Sequence, residues 1–220
     1  YVHVNVLDEP AMNAFETACH TSGARAIGGV LACAALTERQ LTGSGHYSVV
    51  TPTTTRKSRQ GFRTSGWCVG VVPIDFETQG RPFADLAQVA QQIFDERLPL
   101  ARMPIERVLE VAKDLPTILP ITTGGVMLSF MDSNVPPLSA HIAREWQEAD
   151  GRLYINGGMA AQVALWFFRT QRGLTLTAAY PANETAKLSM RRFVEVLIDN
   201  CRITAGIKAA PVSLGMSDRQ

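Results

Sequence analysis

No apolar run in the sequence reaches the roughly 20 residues that a bilayer-spanning helix needs, and no charged segment followed by an apolar stretch opens it. Both absences exclude a transmembrane segment or a secretory leader within these residues. The expectation is a cytoplasmic chain, at most peripheral at the inner membrane face. A basic stripe is missing too: 21 Lys and Arg stand against 20 Asp and Glu, scattered, for a net charge of +1. Nothing there neutralises a phosphate backbone, so nucleic acid is excluded as a partner. The four cysteines, Cys19, Cys33, Cys68 and Cys201, show no C-x-x-C spacing. That excludes both a zinc site and a secreted disulfide framework, and points to a reducing compartment. H-x-x-x-H, H-E-x-x-H and acidic calcium-loop spacings are absent, so no metal is expected.

What is present is enough apolar residue, 46% of 220, to build a core. Val2, Val4 and Val6 alternate with His3 and Asn5 as in a strand, and because Tyr1 is not a start residue the chain is expected to be cut from something longer. Asp8, Glu9 and Pro10 signal a helix start, with the helix running to about Ser22 before Gly23. A second, small-residue-rich helix through Ile27, Val30, Leu31, Ala34, Ala35 and Leu41 is expected to pack closely on a sheet. His46–Thr55 suits a strand, 56–63 a basic loop, and Gly66–Ile74 a strand closing at Pro73. Helical periodicity follows over Phe83–Leu98 and Ile105–Lys113. Val126–Met131 reads as a buried strand and Leu138–Gln147 as a helix. Ala161–Thr170 and Leu174–Tyr180 should form a hairpin about Gln171-Arg172-Gly173, before a last helix with Leu188, Phe193, Val194, Leu197 and Ile198 as its apolar stripe. The order β-α-α-β-β-α-α-β-β-β-α lacks strict alternation, which implies one α/β domain over residues 1–220, a mixed sheet with packed helices.

Candidate chemistry is sparse. Gly66-Trp67-Cys68-Val69-Gly70 matches G-x-C-x-G, yet Val71-Val72-Pro73 cannot start the helix that a nucleophile elbow requires, so Cys68 reads as a strand residue. His3, His20, His46 and His141 have no partner at a catalytic spacing, and His46, entering a strand from a glycine turn, is the one kept in view. Gly43-Ser44-Gly45 lacks the lysine and helix of a phosphate loop, and Asp75 and Asp132 are isolated carboxylates at strand ends. The chain by itself offers a scaffold without a self-sufficient active site.

The ordered set Thr53-Thr54-Thr55-Arg56, then Ser65-Gly66-Trp67 leading to Pro73, then Ser129-Phe130-Met131-Asp132, resembles the C-terminal half of acyltransferases of the chloramphenicol-acetyltransferase and condensation-domain type. The stretch from Val163 to Thr170, with Gly173-Leu174 and Tyr180-Pro181, is similar to the polyketide-associated acyltransferases of mycobacteria. The resemblance implies two similar α/β lobes facing across a tunnel, with the general base in an HHxxxDG motif on the N-terminal lobe. No HHxxxDG occurs here, so no catalytic residue is assigned to this chain. A D-F-G-W-G-like motif is also missing, which favours an ester-forming relative over a peptide-forming one.

By the same resemblance Arg56 forms an ion pair with the Asp of HHxxxDG across the lobes; the other reading places it with Lys57, Arg59 and Arg63 on a solvated basic loop. Thr55, Ser65, Gly66, Trp67, Ser129 and Asp132 are the implied tunnel or substrate contacts. The implied reaction transfers an acyl group from coenzyme A, as substrate and not as a resident cofactor, or from a polyketide synthase carrier. The acceptor would be a hydroxyl of trehalose or its 2-sulfate. Two alternatives stay open: half of a peptide-synthetase condensation or epimerisation domain, and a non-catalytic docking module.

Overall fold

Alternation fixes the first element: along β1 (Val2–Asp8) Val2, Val4 and Val6 are buried while His3 and Asn5 are exposed. The structure is a computed structural model that describes residues 1–58, 60–112, 126–135, 145 and 162–208. The elements that follow are α1 (Glu9–Thr21), α2 (Ala26–Thr42), β2 (His46–Thr54), β3 (Val69–Glu77), α3 (Phe83–Arg97), α4 (Ile105–Ala112), β4 (Met127–Asp132), β5 (Ala164–Thr170), β6 (Gly173–Ala179) and α5 (Glu184–Thr204). That is the order expected from the sequence. The helix expected over Leu138–Gln147 lies outside the described residues apart from Glu145.

One six-stranded sheet runs β1-β6-β5-β4-β2-β3. Its central strands β2, β4 and β5 are parallel, and the pairs β1/β6, β5/β6 and β2/β3 are antiparallel, so the sheet is mixed, as expected. The hairpin joins Thr170 to Gly173 across Gln171-Arg172. Two prolines shape the far half. Pro73 does not close β3, which runs on to Glu77: among the described residues β3 is the outer strand, where a missing N–H leaves no ladder bond unmade. Pro52 lies inside the sheet and matters more. Val50 N donates to the Val126 carbonyl at 3.0 Å, but the next donor on that edge of β2 falls on Pro52, and among the described residues the β2–β4 ladder is the single pair Val50–Met127.

Helices α1, α2, α3 and α5 form one layer on the face that carries Tyr47, Val49, Ile74, Leu165, Phe167 and Leu176. The small residues of α2 act chiefly within that layer, where the sequence suggested the sheet. A Cβ on Gly29 would stand 2.2 Å from Cys19 Sγ on α1, and one on Gly28 would stand 2.9 Å from the Ala87 carbonyl oxygen on α3. α2 is therefore the buried central helix, touching α1, α3 and α5 as well as β2. On α5 the stripe is Met190, Val194, Leu197 and Cys201, at helical spacings of four, three and four, with Ile198 beside it. Leu188 falls off that series and is 65% exposed, against expectation.

Candidate functional site

Because β2, β4 and β5 are parallel, their C-terminal ends meet at one end of the sheet, and most of the candidate residues gather there. Thr55 N donates to the Cys68 carbonyl at 3.0 Å, which closes the loop between β2 and β3 at its base. Inside it Arg56 folds back: Nη2 donates to the carbonyls of Thr64 at 3.0 Å and Gly66 at 2.8 Å. Arg56 is half-buried, while Lys57 and Arg63 on the same loop are exposed and Arg59 lies outside the described residues. So Arg56 is distinct from its basic neighbours: it braces the loop that presents Ser65, Gly66 and Trp67. Ser65 and Gly66 are exposed, and Trp67 is 90% exposed. The strand expected from Gly66 starts only at Val69, because Gly66, with φ of 136°, is in a loop conformation.

β4 contributes the other two candidates, and its pleat separates them. Ser129, 8% exposed, lies on the face away from the helices, opposite Trp166 of β5. Asp132 is three residues on, hence on the opposite face, where it stands across from Arg169. Its Oδ1 accepts from Asn134 N at 2.8 Å, in a turn that ends the strand. Ser129 and Asp132 therefore do not converge, although they sit in one short motif.

Sequence reasoning missed the partner of Arg169. Its guanidinium donates from Nε to Glu16 Oε1 at 2.9 Å and from Nη2 to Glu16 Oε2 at 3.0 Å, a two-pronged pair between β5 and α1. The side chains are 12% and 24% exposed. The hydrogen bonding to the Glu16 carboxylate raises the Arg169 pKa, against desolvation, with smaller help from the Glu16, Asp132 and Glu9 charges. A lone cation in the apolar run Ala-Leu-Trp-Phe-Phe-Arg-Thr is the sequence signal, but nothing marks Glu16, 153 positions away, as its mate. Beside the pair is a cleft of about 460 Å³ lined by Asn13, Asn134, Arg169, Gln171 and Arg172 among others. Such amide and guanidinium groups suit a polar or anionic ligand.

The remaining candidates lie elsewhere. His46, at the opposite end of β2, pairs with Glu77 across the β2–β3 ladder at 3.3 Å, both exposed. His3 meets the Thr177 hydroxyl at 2.8 Å, His20 sits in the last turn of α1, and His141 lies outside the described residues. Asp75 is inside β3, not at its end, and pairs with Arg97 of α3. Among the described residues no three His, Cys, Asp or Glu side chains group as a metal site, and no helix is long and apolar enough to cross a membrane. Cys68 precedes β3 and no helix follows it, so no elbow forms. Burial pushes the Cys19 thiol up to about 12 and that of Cys33, which also hydrogen-bonds Cys201, well above the usual range. Cys19, Cys33 and Cys201 are fully buried, whereas Cys68 is half-buried. Iodoacetamide at pH 8 should therefore alkylate Cys68 in the native protein and the other three only after unfolding, as peptide mass spectrometry would report.

Comparison with known proteins adds to this geometry. No family model matches the chain. Acyltransferase PapA3 of Mycobacterium tuberculosis is 34% identical over 89% of this chain and 41% of its own length. Trehalose-2-sulfate acyltransferase PapA2 of Mycobacterium tuberculosis is 38% identical over 87% of this chain and 40% of its own. The chain thus spans about 40% of the length of the relatives it matches. Among solved structures, PapA2 acyl transferase superposes with a TM-score of 0.82 at 35% identity, covering 93% of this chain and 44% of that one. The condensation domain of the Monacolin K polyketide synthase MokA superposes at 0.71, with 16% identity over 94% of this chain and 47% of that one, a likeness of fold alone. The mixed sheet with its helices is a condensation-domain-like α/β fold.

Proposed function

The chain is a homologue of the Pap-type acyltransferases of mycobacteria, and from that premise we propose that it is the C-terminal lobe of an O-acyltransferase. The observation that carries this is the 38% identity to a trehalose-2-sulfate acyltransferase over 87% of this chain. In this reading a fatty or polyketide acyl group passes from coenzyme A or a carrier protein to a hydroxyl of trehalose or trehalose 2-sulfate. The acceptor oxygen attacks the thioester carbonyl as a base takes its proton, a tetrahedral oxyanion forms, and the thiol leaves as the carbonyl is restored. The base comes from an HHxxxDG segment on the N-terminal lobe, since the sequence here contains none.

This lobe supplies the facing wall. Arg56 has donors left over after Nη2 has served Thr64 and Gly66, and these reach the Asp of that motif. Thr55, Ser65, Gly66 and Trp67 stand on the loop that Arg56 braces and contact acyl donor or acceptor. Ser129 does so from the sheet face, whereas Asp132 acts through Arg169. The peptide-synthetase alternative has support from fold alone.

The test is ester formation from palmitoyl-coenzyme A by the full-length protein, with trehalose and trehalose 2-sulfate compared. The expected result is product with at least one sugar, none from residues 1–220 alone, and a loss of roughly tenfold or more in Arg56→Ala, equivalent to about 1.4 kcal/mol of transition-state stabilisation. Product from the 220 residues alone would place a base within them and overturn the split-site reading. No product with either sugar would remove the trehalose assignment.

A further inference from the structure

The end of the sheet opposite the Arg56 loop holds a second cavity, of about 420 Å³, where the last turns of α2 diverge from the first half of α5. Leu41, Val163, Met190 and Phe193 make its walls apolar. Tyr47, at the start of β2, also lines it; the residue is 2% exposed, and its hydroxyl has no hydrogen-bond partner among the described residues. A buried hydroxyl left unpaired costs about 1–3 kcal/mol, so the group calls for a partner, which a ligand in this cavity can supply. Volume and lining are those of a small-molecule site, an apolar body with few polar groups.

The charges select the ligand. Arg192 on α5 is exposed at the rim and makes no hydrogen bond or ion pair among the described residues. Across the cavity on α2 stands Glu38, whose carboxyl burial raises in pKa, an effect that the nearby His46 partly offsets. A cation on one rim and a carboxyl on the other orient an anion toward α5 and leave its tail the apolar interior.

We propose that this cavity binds a single-chain anionic amphiphile, its head group on Arg192 and accepting a hydrogen bond from the Tyr47 hydroxyl, its alkyl tail along the apolar walls between α2, α5 and the sheet. Parallel strands fix the distance from the other site: Tyr47 and Val163 are at the N-terminal ends of β2 and β5, Arg56 and Asp132 beyond or at the C-terminal ends of β2 and β4. The proposal goes beyond the acyltransferase reading and does not rest on it.

Isothermal titration of the full-length protein with dodecanoate, dodecyl phosphate and dodecyltrimethylammonium, below their micellar concentrations, tests it. Both anions should bind and the cation should bind roughly tenfold more weakly or not at all. Arg192→Glu should reverse that preference, and Ala186→Phe, which fills the cavity from α5, should abolish binding of all three. Arg192 is exposed, so its variant tests the head-group contact even if the Ala186 variant is unstable. Equal binding of anion and cation, or unchanged affinity in Arg192→Glu, would overturn the proposal. Ester formation should survive both substitutions, so loss of binding here and loss of the acyltransferase reading are separate outcomes.

Discussion

Gly173→Ala should lower stability by roughly 3–5 kcal/mol, seen as a fall in melting temperature of about 10 °C or more. Two independent effects add at this position. Gly173 opens β6 at φ of 117°, where a side chain is strained whatever space surrounds it. Space is also missing: a Cβ would stand 2.1 Å from the Leu7 carbonyl oxygen and 2.7 Å from the Asp8 carbonyl carbon. Both contacts are backbone, at the end of β1 where Asp8 pairs with Gly173. Relief would require β1 to withdraw, and Asp8 cannot withdraw freely, because its carboxylate caps α1 through Ala11 N at 3.0 Å. A clash in one turn thus loosens a strand pair and a helix start together. Gly43→Ala provides the comparison. Gly43 caps α2 at φ of 74° with nothing within 4 Å of a Cβ, so only the conformational term remains, about 1–2 kcal/mol. Thermal unfolding of the two variants side by side would separate strain from overlap, and equal losses would show that β1 yields at no expense.

Gly173 also shows what a sequence reveals and what it withholds. The turn at Gln171-Arg172-Gly173 was readable because glycine between two β-rich runs has one common use, and the hairpin follows. That β1, from the far end of the chain, lies against the glycine was not readable, since no local pattern encodes a pairing between positions 8 and 173. Local signals served the elements well. Alternation located β1, the acidic start with Pro10 located α1, and glycine at 43 ended α2. They failed where an environment decides. Pro73 was expected to end a strand, but its place on the outer strand lets β3 continue. Leu188 was expected inside because it is apolar, yet its angle around α5 turns it out.

The candidate site divides in the same way. The loop from Thr55 to Trp67 is contiguous in sequence, and its residues do stand together, braced by Arg56. The motif around Ser129 and Asp132 also looked contiguous, but a strand pleat sends odd-spaced residues to opposite faces. The shared motif says that the four residues are adjacent along β4 and nothing about a common surface. Glu16 and Arg169 were out of reach altogether, because an ion pair between α1 and β5 depends on how both pack on the sheet.

That ion pair carries the other large expected effect. Glu16→Gln should destabilise the protein by about 3 kcal/mol, since it leaves the largely buried guanidinium of Arg169 without its carboxylate. The loss belongs to the unpaired charge and not to the missing bond. Replacing both partners, Glu16→Leu with Arg169→Met, should therefore recover most of it, and urea unfolding of both single variants and the double gives the coupling. Asp132 is the next carboxylate whose charge reaches Arg169, and Glu9 acts more weakly still. In the native protein Asp132→Asn should consequently cost under about 1 kcal/mol, because Glu16 already satisfies the arginine. In the Glu16→Gln background the same change should cost markedly more, as Asp132 then stands in as the counter-charge. A cycle of that sign would assign Asp132 to positioning Arg169 and the cleft of Asn13, Asn134 and Arg172 beside it. Additive losses, with ester formation falling in Asp132→Asn alone, would return Asp132 to the role of a direct substrate contact.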